Sequence, residues 1–508
     1  MTGAEVLVQT LADAGIEVCF ANPGTTEMGI VAALERGPRM RCVLGLFEGV
    51  CSGMADGYFR MADKPAMVLL HCGAGLGNAI ANLHNANRAR SGSVAVVGDH
   101  PDSHLPFDPP LASKLGLMAE SIGGGVRRLS NPSTVGAETA EAVRRARLGS
   151  TEILLAPMDV MSGEAVGTGI VPTPSSQLPD ADSVDRAAKA LTSGAPAALL
   201  LSGKTLRAEG LQLAGRIARK TGCRILSDCF PARLDRGAGL PLVDRIPYFP
   251  ELVLDRLKGL KHLVLAEAPA PVSFFKYPGS PHSTVPEGCE VINLADADAT
   301  AALRELAERL GANADGPVQE ATRPVPPTGA LTTHSIGLAI GAALPEGAII
   351  SDESATSGGP TYFLTQGCPP HSSMYLTGGA IGFGLPAATG AAIACPDRPV
   401  VALQADGSGM YTLQALWTQA REGLNVTNVI FVNDKYNILQ VELGRSGVAA
   451  MGPKAESMMT LTRPPLDWAA LAKGMGVPAS TPTTAEEFFD AFTQALREAG
   501  PHVIVARI

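Results

Sequence analysis

The chain has 508 residues, 46% hydrophobic and 18% charged, with a formal net charge of −9. This composition supports a large core and excludes wholesale disorder, while the acidic balance, without any Lys/Arg block, argues against a nucleic-acid-binding surface. The length predicts about three domains, and no apolar stretch reaches the roughly 18 residues of a membrane span.

Helix-like and strand-like segments alternate from the start. Ala4–Ala14 reads as a helix, Val18–Phe20 as a strand and Thr26–Arg36 as a helix. Cys42–Leu46 (strand), Glu48–Phe59 (helix), Met67–His71 (strand), Asn78–Ala89 (helix) and Val94–Val97 (strand) follow. The alternation predicts a mainly parallel sheet with helices on both faces. Pro172-Thr173-Pro174-Ser175-Ser176 reads as a linker. A second α/β unit has strands at Ala197–Leu201, Arg224–Ser227 and His262–Ala266, and a second linker runs from Gly316-Pro317 to Pro324-Val325-Pro326-Pro327. A third unit continues to the C-terminus. Met1-Thr2-Gly3-Ala4-Glu5 lacks the basic-then-apolar pattern of a signal peptide. Nine scattered cysteines without a C-x-x-C pair suit a reduced, cytoplasmic protein.

In the third unit, the apolar run Val400–Ala405 ends in Asp406-Gly407-Ser408. After the helix-length segment Thr412–Glu422, a second run ends in Phe431-Val432-Asn433-Asp434-Lys435-Tyr436. Ligands of open α/β sheets sit outside the carboxyl ends of strands. Carboxylate, side-chain and carbonyl oxygens gathered there suit a hard cation such as Mg²⁺. An ordinary Asp-Gly turn fits the motif alone equally well. A strand, a glycine turn, a helix and a strand ending in Asp also occur twice, at Val68–Asp99 and Tyr375–Asp406. This suggests two copies of one fold around a third, the plainer alternative being chance similarity of two βαβ units, which recur widely. Gly73-Ala74-Gly75-Leu76-Gly77 is no dinucleotide fingerprint, because its third glycine falls one residue early.

The Asp406 and Asn433-Asp434 segments resemble the Gly-Asp-Gly…Asn-Asn signature of thiamine diphosphate (ThDP) enzymes, in the group of benzoylformate decarboxylase and acetolactate synthase. The same resemblance is carried by Asn22-Pro23-Gly24-Thr25-Thr26-Glu27, by Glu48-Gly49 with Ala55-Asp56-Gly57-Tyr58, and by His71–Ala79. It returns in Gly378-Gly379-Ala380-Ile381-Gly382-Phe383-Gly384-Leu385-Pro386, whereas the middle third matches loosely. It implies an α/β fold of three doubly wound parallel-sheet domains. These are a pyrimidine-binding domain over 1–172, a middle domain over 180–315 and a diphosphate-binding domain over 328–508.

The resemblance implies ThDP and Mg²⁺ as cofactors, with the metal on Asp406, Asp434 and the carbonyl of Tyr436. Asp434 departs from the family's second Asn, adding a negative charge near the diphosphate. Gly407, Ser408, Tyr411, Ser354 and Thr356 would contact the diphosphate, although such hydroxyls also serve as caps and turns. Glu48, an acid that could merely complement a helix dipole, would hydrogen-bond the aminopyrimidine and promote its imino tautomer. Gly379 would approach the cofactor with its backbone, and Ile381 would hold the cofactor bent. Thr25 would touch the substrate carboxylate or cap a helix, and His71 would relay protons or, alternatively, serve as a structural histidine bonded to loop carbonyls. The family's second active-site histidine has no clear counterpart; its region reads Val272–Pro278, with Lys276 nearby. Asp99, His100 and His104 either bring a different acid/base set to the pocket or decorate a surface loop. The implied function is a 2-oxo acid decarboxylase or carboligase working through an enamine, in a homodimer or homotetramer that shares its sites. The alternatives are an acetolactate synthase-type transferase and a ThDP-binding regulatory protein with little turnover.

Overall fold

A computed structural model describes the chain except residues 38–39, 173–178, 296–297 and 448–450. The first linker, apart from Pro172, therefore lies outside the described residues. Residues 316–327 form neither helix nor strand.

Three sheets are present. The first holds β1 (Val18–Asn22), β2 (Arg41–Leu44), β3 (Ala66–His71), β4 (Ser93–Asp99), β5 (Gly125–Arg128) and β6 (Thr151–Pro157), all parallel, in the order β2-β1-β3-β4-β6-β5. Strands β4 and β6 are buried along their whole length, as expected for parallel strands covered on both faces. The next strands are β7 (Ala197–Leu201), β8 (Arg224–Ser227), β9 (Arg233–Arg236), β10 (Asp244–Arg245), β11 (His262–Ala266) and β12 (Glu290–Ala295). All but β9 form a parallel second sheet ordered β10-β8-β7-β11-β12. The third sheet contains β13 (Ile349–Glu353), β14 (His371–Tyr375), β15 (Val400–Ala405), β16 (Val426–Val432), β17 (Ala479–Ser480) and β18 (His502–Arg507), ordered β17-β18-β16-β15-β13-β14-β9.

Numbered within each unit, the first sheet and the six C-terminal strands share one order, 2-1-3-4-6-5. The chain thus does carry a doubled topology, but the stretches Val68–Asp99 and Tyr375–Asp406 are not counterparts: the first spans strands three and four of its unit and the second spans strands two and three. The third sheet is not purely parallel, however: β9 leaves the second unit and pairs antiparallel with β14, Arg236 opposite His371.

Two local readings change. The glycine turn after β3 is helical, because the helix runs Cys72–Arg88 rather than Asn78–Ala89. Gly73 fits there because a Cβ would meet Ser113 Oγ at 2.0 Å. In the third unit a one-turn helix, Asp406–Gly409, precedes the helix Ala415–Glu422, which starts later than Thr412.

Helix Glu48–Ala62 packs against helix Gly384–Ala394, and these are the corresponding helices of the two copies. Their backbones come unusually close. A Cβ on Gly57 would sit 2.1 Å from Ala387 O, and one on Gly390 1.9 Å from Met54 O. A buried ion pair fixes the contact: Arg60 Nε and Nη2 donate to Asp56 at 2.7 Å each, and Nη1 donates to Tyr375 O at 2.7 Å and Ala232 O at 3.0 Å. Its guanidinium also lies over Phe383, 4.4 Å from the ring centre. This one side chain ties all three units together and fixes the helix that carries Glu48 at its head. All nine cysteines are free thiols, and no helix among the described residues is long and apolar enough to cross a membrane.

Candidate active site

Two clusters form at the carboxyl ends of strands, one on each copy of the repeated fold. On the third sheet, Asp406 follows β15 and Asp434 lies two residues beyond β16. Asp406 is buried; Oδ1 accepts from Gly407 N at 2.9 Å and Oδ2 from Asp434 N at 2.8 Å. Burial raises its pKa, against the pull of these backbone donors. Asp434 holds a left-handed backbone, φ 54°, a conformation Asp tolerates better than most residues. Its Oδ2 accepts from Arg507, while Oδ1 is buried without a partner among the described residues. The Tyr436 carbonyl accepts from Leu439 N at 3.0 Å and from Gln440 N at 3.4 Å at the start of helix Asn437–Arg445. Gly407 lets the Tyr436 ring approach, since a Cβ there would be 2.6 Å from it.

The predicted hydroxyls gather around these acids unevenly. Ser408 is buried, receives Gln404 Nε2 at 2.6 Å and donates to Ala405 O. Ser354 bonds its own turn through Asp352, and the exposed Thr356 receives Asn437 Nδ2 at 3.1 Å. Tyr411 is half exposed beside Gly382. Gly379 has φ 79° and is exposed, with its Cβ direction open except for Phe274 at 3.6 Å; Ile381 is half-buried. Phe274 belongs to the Val272–Pro278 segment, so that segment does reach the Gly379 loop. Lys276 instead caps the carbonyls of Tyr277 and Ser280.

Sequence reading missed Glu353. It is fully buried at the end of β13, accepts from Gly382 N at 2.7 Å, Gly384 N at 2.6 Å and Gln404 Nε2 at 3.2 Å, and thereby shapes the Gly379–Gly384 loop. Burial pushes its carboxyl up to about 7 despite these donors. An acid ending an apolar strand was the available signal.

On the first sheet, Glu48 heads its helix half-buried, and Asn78 Nδ2 donates to its Oε2 at 2.9 Å. His71 ends β3. Its Nδ1 lies 3.0 Å from Glu27 Oε2 and 3.1 Å from Thr26 Oγ1. Glu27 is wholly buried and also accepts from Gly24 N at 2.7 Å and from the Thr26 hydroxyl. The network assigns the proton to Nδ1 and leaves Nε2 as the free nitrogen. Glu27 is the last residue of the Asn22–Glu27 motif, and no role for it followed from the sequence. Cys72 Sγ stands 3.3 Å from Thr26 Oγ1, and burial raises its pKa.

Thr25 is exposed and caps nothing: the residue before helix Met28–Arg36 is Glu27. Asp99 is committed elsewhere, because its buried carboxylate accepts from its neighbour's backbone, His100 N, at 2.8 Å and from Arg128 Nη1 at 2.6 Å. The His100 ring stacks edge-on with exposed His104, 5.8 Å between centres, and its Nε2 is buried without a partner among the described residues. Among the described residues, no hydrogen bond or ion pair joins Thr25, Glu48, His71 or His100 to the Asp406–Asp434 cluster. The Gly378–Gly382 loop is nevertheless held by the first unit: Asn82 Nδ2 bridges Gly49 O at 2.8 Å and Gly382 O at 3.0 Å, and Asn85 Nδ2 donates to Ala380 O at 2.8 Å.

The donor set fits the implied cofactors. The third-sheet cluster offers only hard oxygens, one of them a buried carboxylate oxygen without a partner, as Mg²⁺ with a diphosphate requires. Glu48 keeps Oε1 without a hydrogen bond among the described residues, next to the space that Gly75 leaves open.

Comparison with known proteins agrees. Residues 1–116 match the thiamine pyrophosphate enzyme N-terminal TPP binding domain, and residues 358–506 match its C-terminal TPP binding domain. The chain is 50% identical, over 99% of its length and 98% of the relative's, to the Mycobacterium tuberculosis protein named "Putative acetolactate synthase large subunit IlvX". It is 28% identical to benzoylformate decarboxylase of Pseudomonas aeruginosa, over 96% of each chain. The fold matches a ThDP-dependent 4-hydroxybenzoylformate decarboxylase of Rhodococcus jostii RHA1 with a TM-score of 0.88 at 24% identity, covering 100% of this chain and 99% of that one. Half-identity along nearly the whole chain and two matching cofactor-binding domains place this protein in the thiamine pyrophosphate enzyme family.

Proposed function

We propose that the chain is a ThDP- and Mg²⁺-dependent 2-oxo acid decarboxylase or carboligase. The observation that carries this reading is the pairing of two built sites: a hard-oxygen clamp on the third sheet, and the His71–Glu27–Thr26 network on the first. The full-length likeness to a benzoylformate decarboxylase supports it.

In this reading residues 1–172, 180–315 and 328–508 are the pyrimidine-binding, middle and diphosphate-binding domains. Asp406, Asp434 and the Tyr436 carbonyl hold Mg²⁺, and Gly407, Ser408, Tyr411, Ser354 and Thr356 line the diphosphate site. Bound ThDP supplies the electron sink that lets a 2-oxo acid lose its carboxylate. Glu48 holds a proton at the aminopyrimidine, its carboxyl oriented by Asn78. Gly379 would present its backbone to the cofactor's pyrimidine end, and the Ile381 side chain would pack against the cofactor. His71, braced through Nδ1, would hold or move a proton at Nε2. Thr25, exposed and free of capping duty, can receive the substrate carboxylate, and His100 can present a second ring nitrogen. Glu353 keeps the Gly379–Gly384 loop in shape.

The first-sheet cluster of one chain would serve the third-sheet cluster of another, so the active unit is a homodimer or homotetramer. The acceptor is a proton or an aldehyde, and the compartment is cytoplasmic. Calorimetric titration of metal-free protein with ThDP, with and without Mg²⁺, followed by turnover of pyruvate and benzoylformate, tests the proposal. Metal-dependent binding with turnover is expected. Binding without turnover of any 2-oxo acid would instead favour a regulatory role.

A further inference from the structure

Asp434 stands where the family resemblance expects a neutral Asn, and the chain holds a charge opposite it. Strands β16 and β18 run in parallel with Val432 paired to Arg507, so the end of β18 reaches the turn that follows β16. Arg507 donates to Asp434 Oδ2, and Oδ1 remains buried without a partner among the described residues. The backbone on both sides is pinned. Asp434 N donates to Asp406 Oδ2 at 2.8 Å, and Asp434 O accepts from Leu461 N at 2.7 Å. The carboxylate is therefore divided between one oxygen tied to a guanidinium and one left over, with a net charge near zero. A side-chain amide has the same charge and the same single oxygen for a metal.

We propose that Arg507 is a positioning residue of the metal clamp, which makes Asp434 act as a neutral, one-oxygen ligand. The proposal rests on the reading of Asp406 and Asp434 as that clamp. Removing Arg507 leaves an uncompensated negative charge that attracts the cation and repels the diphosphate. Removing the charge of Asp434 leaves an uncompensated positive charge with the opposite effects. Removing both restores the balance.

The test is a charge-balance cycle on the full-length protein with Arg507→Gln, Asp434→Asn and the double variant. Asn tolerates the left-handed backbone at 434 at least as well as Asp. Mn²⁺ binding is followed by the electron paramagnetic resonance of the free ion, and ThDP binding at saturating Mn²⁺ by calorimetry. Arg507→Gln is expected to bind Mn²⁺ about three- to tenfold more tightly and ThDP more weakly by a similar factor, as one charge in a largely solvated setting dictates. Asp434→Asn shifts both the other way, and the double variant returns to within about twofold of the parent. A purely structural role would weaken both ligands together. Weakening of both in Arg507→Gln, or a double variant no closer to the parent than either single one, overturns the proposal while leaving the clamp intact. Failure of the unmodified protein to bind Mn²⁺ even with ThDP overturns the clamp reading and this proposal with it.

Discussion

Replacing Asp56 with Ala strands Arg60 in the contact between the two repeated units. The pair is sealed from solvent, with side-chain exposures of 1% for Arg60 and 0% for Asp56. Once the carboxylate is gone, the guanidinium keeps two carbonyl acceptors and the Phe383 face, but no counter-charge. Breaking a buried pair from one side costs about 3–5 kcal/mol, whereas removing both charges costs much less. At about 2.1 cal/mol/K of unfolding entropy per residue, a 508-residue chain unfolding as one unit loses about 1 kcal/mol per degree. Asp56→Ala should therefore lower the melting midpoint by roughly 3–5 °C, and further if the first unit melts separately. Scanning calorimetry of the single variant and of Asp56→Ala/Arg60→Met checks this, with the double variant expected to melt above the single. A single variant that melts with the parent, or a double that melts below the single, would refute the stranded-charge reasoning.

Three other outcomes follow from the site. Glu48→Gln should retain ThDP binding while losing about two or more orders of magnitude in kcat; unchanged turnover would remove Glu48 from proton transfer. Gly24→Ala places a Cβ 2.2 Å from the His71 ring. Turnover should fall about 10- to 100-fold with ThDP affinity unchanged, as misplacement of a catalytic group predicts, and an active variant would show that His71 tolerates displacement. Glu353 gives a pH signature. Its folded carboxyl sits at about 7 against 4.5 for an ordinary Glu, so the native state holds the extra proton between these values. Its contribution to stability is therefore full below pH 4.5 and is lost as pH rises to 7, by on the order of 3 kcal/mol. Buried His371, lowered to about 4 by burial, acts oppositely and costs stability as pH falls from 6.5. The parent-minus-variant difference for Glu353→Gln isolates the first effect, and a difference that is flat across pH 4.5–7 would contradict it.

The strands read from sequence were legible because each is a short apolar run, and the motif residues because they are local; β5, β6, β12 and β18 went unread, although β6 and most of β18 are as buried as the rest. Glu48 and His71 stand where strand ends place them. Local patterns could not reveal partners brought in by pairing between distant segments. Arg507 meets Asp434 only because β18 lies beside β16, 73 residues away in sequence. The glycine-rich stretch after His71 read as a turn because of its low helix propensity, although it opens the continuous helix Cys72–Arg88. Thr25 read as a possible cap on residue type alone, whereas Glu27 takes that position and turns its carboxylate to His71. The three hydrogen bonds of Glu353 come from a loop about 30 residues on and from the neighbouring strand, so only its strand-end position was visible.

Strand β9 complicates any attempt to treat the units as interchangeable cassettes. A chimera that exchanges residues 180–315 as a block would strip β14 of its antiparallel neighbour and bare a row of unpaired backbone groups. Exposed edges of that kind template association between chains. A graft that carries Arg233–Arg236 over with the recipient's own C-terminal unit would keep that edge covered, so the practical seams for recombination in this chain lie on either side of β9 rather than at the linkers.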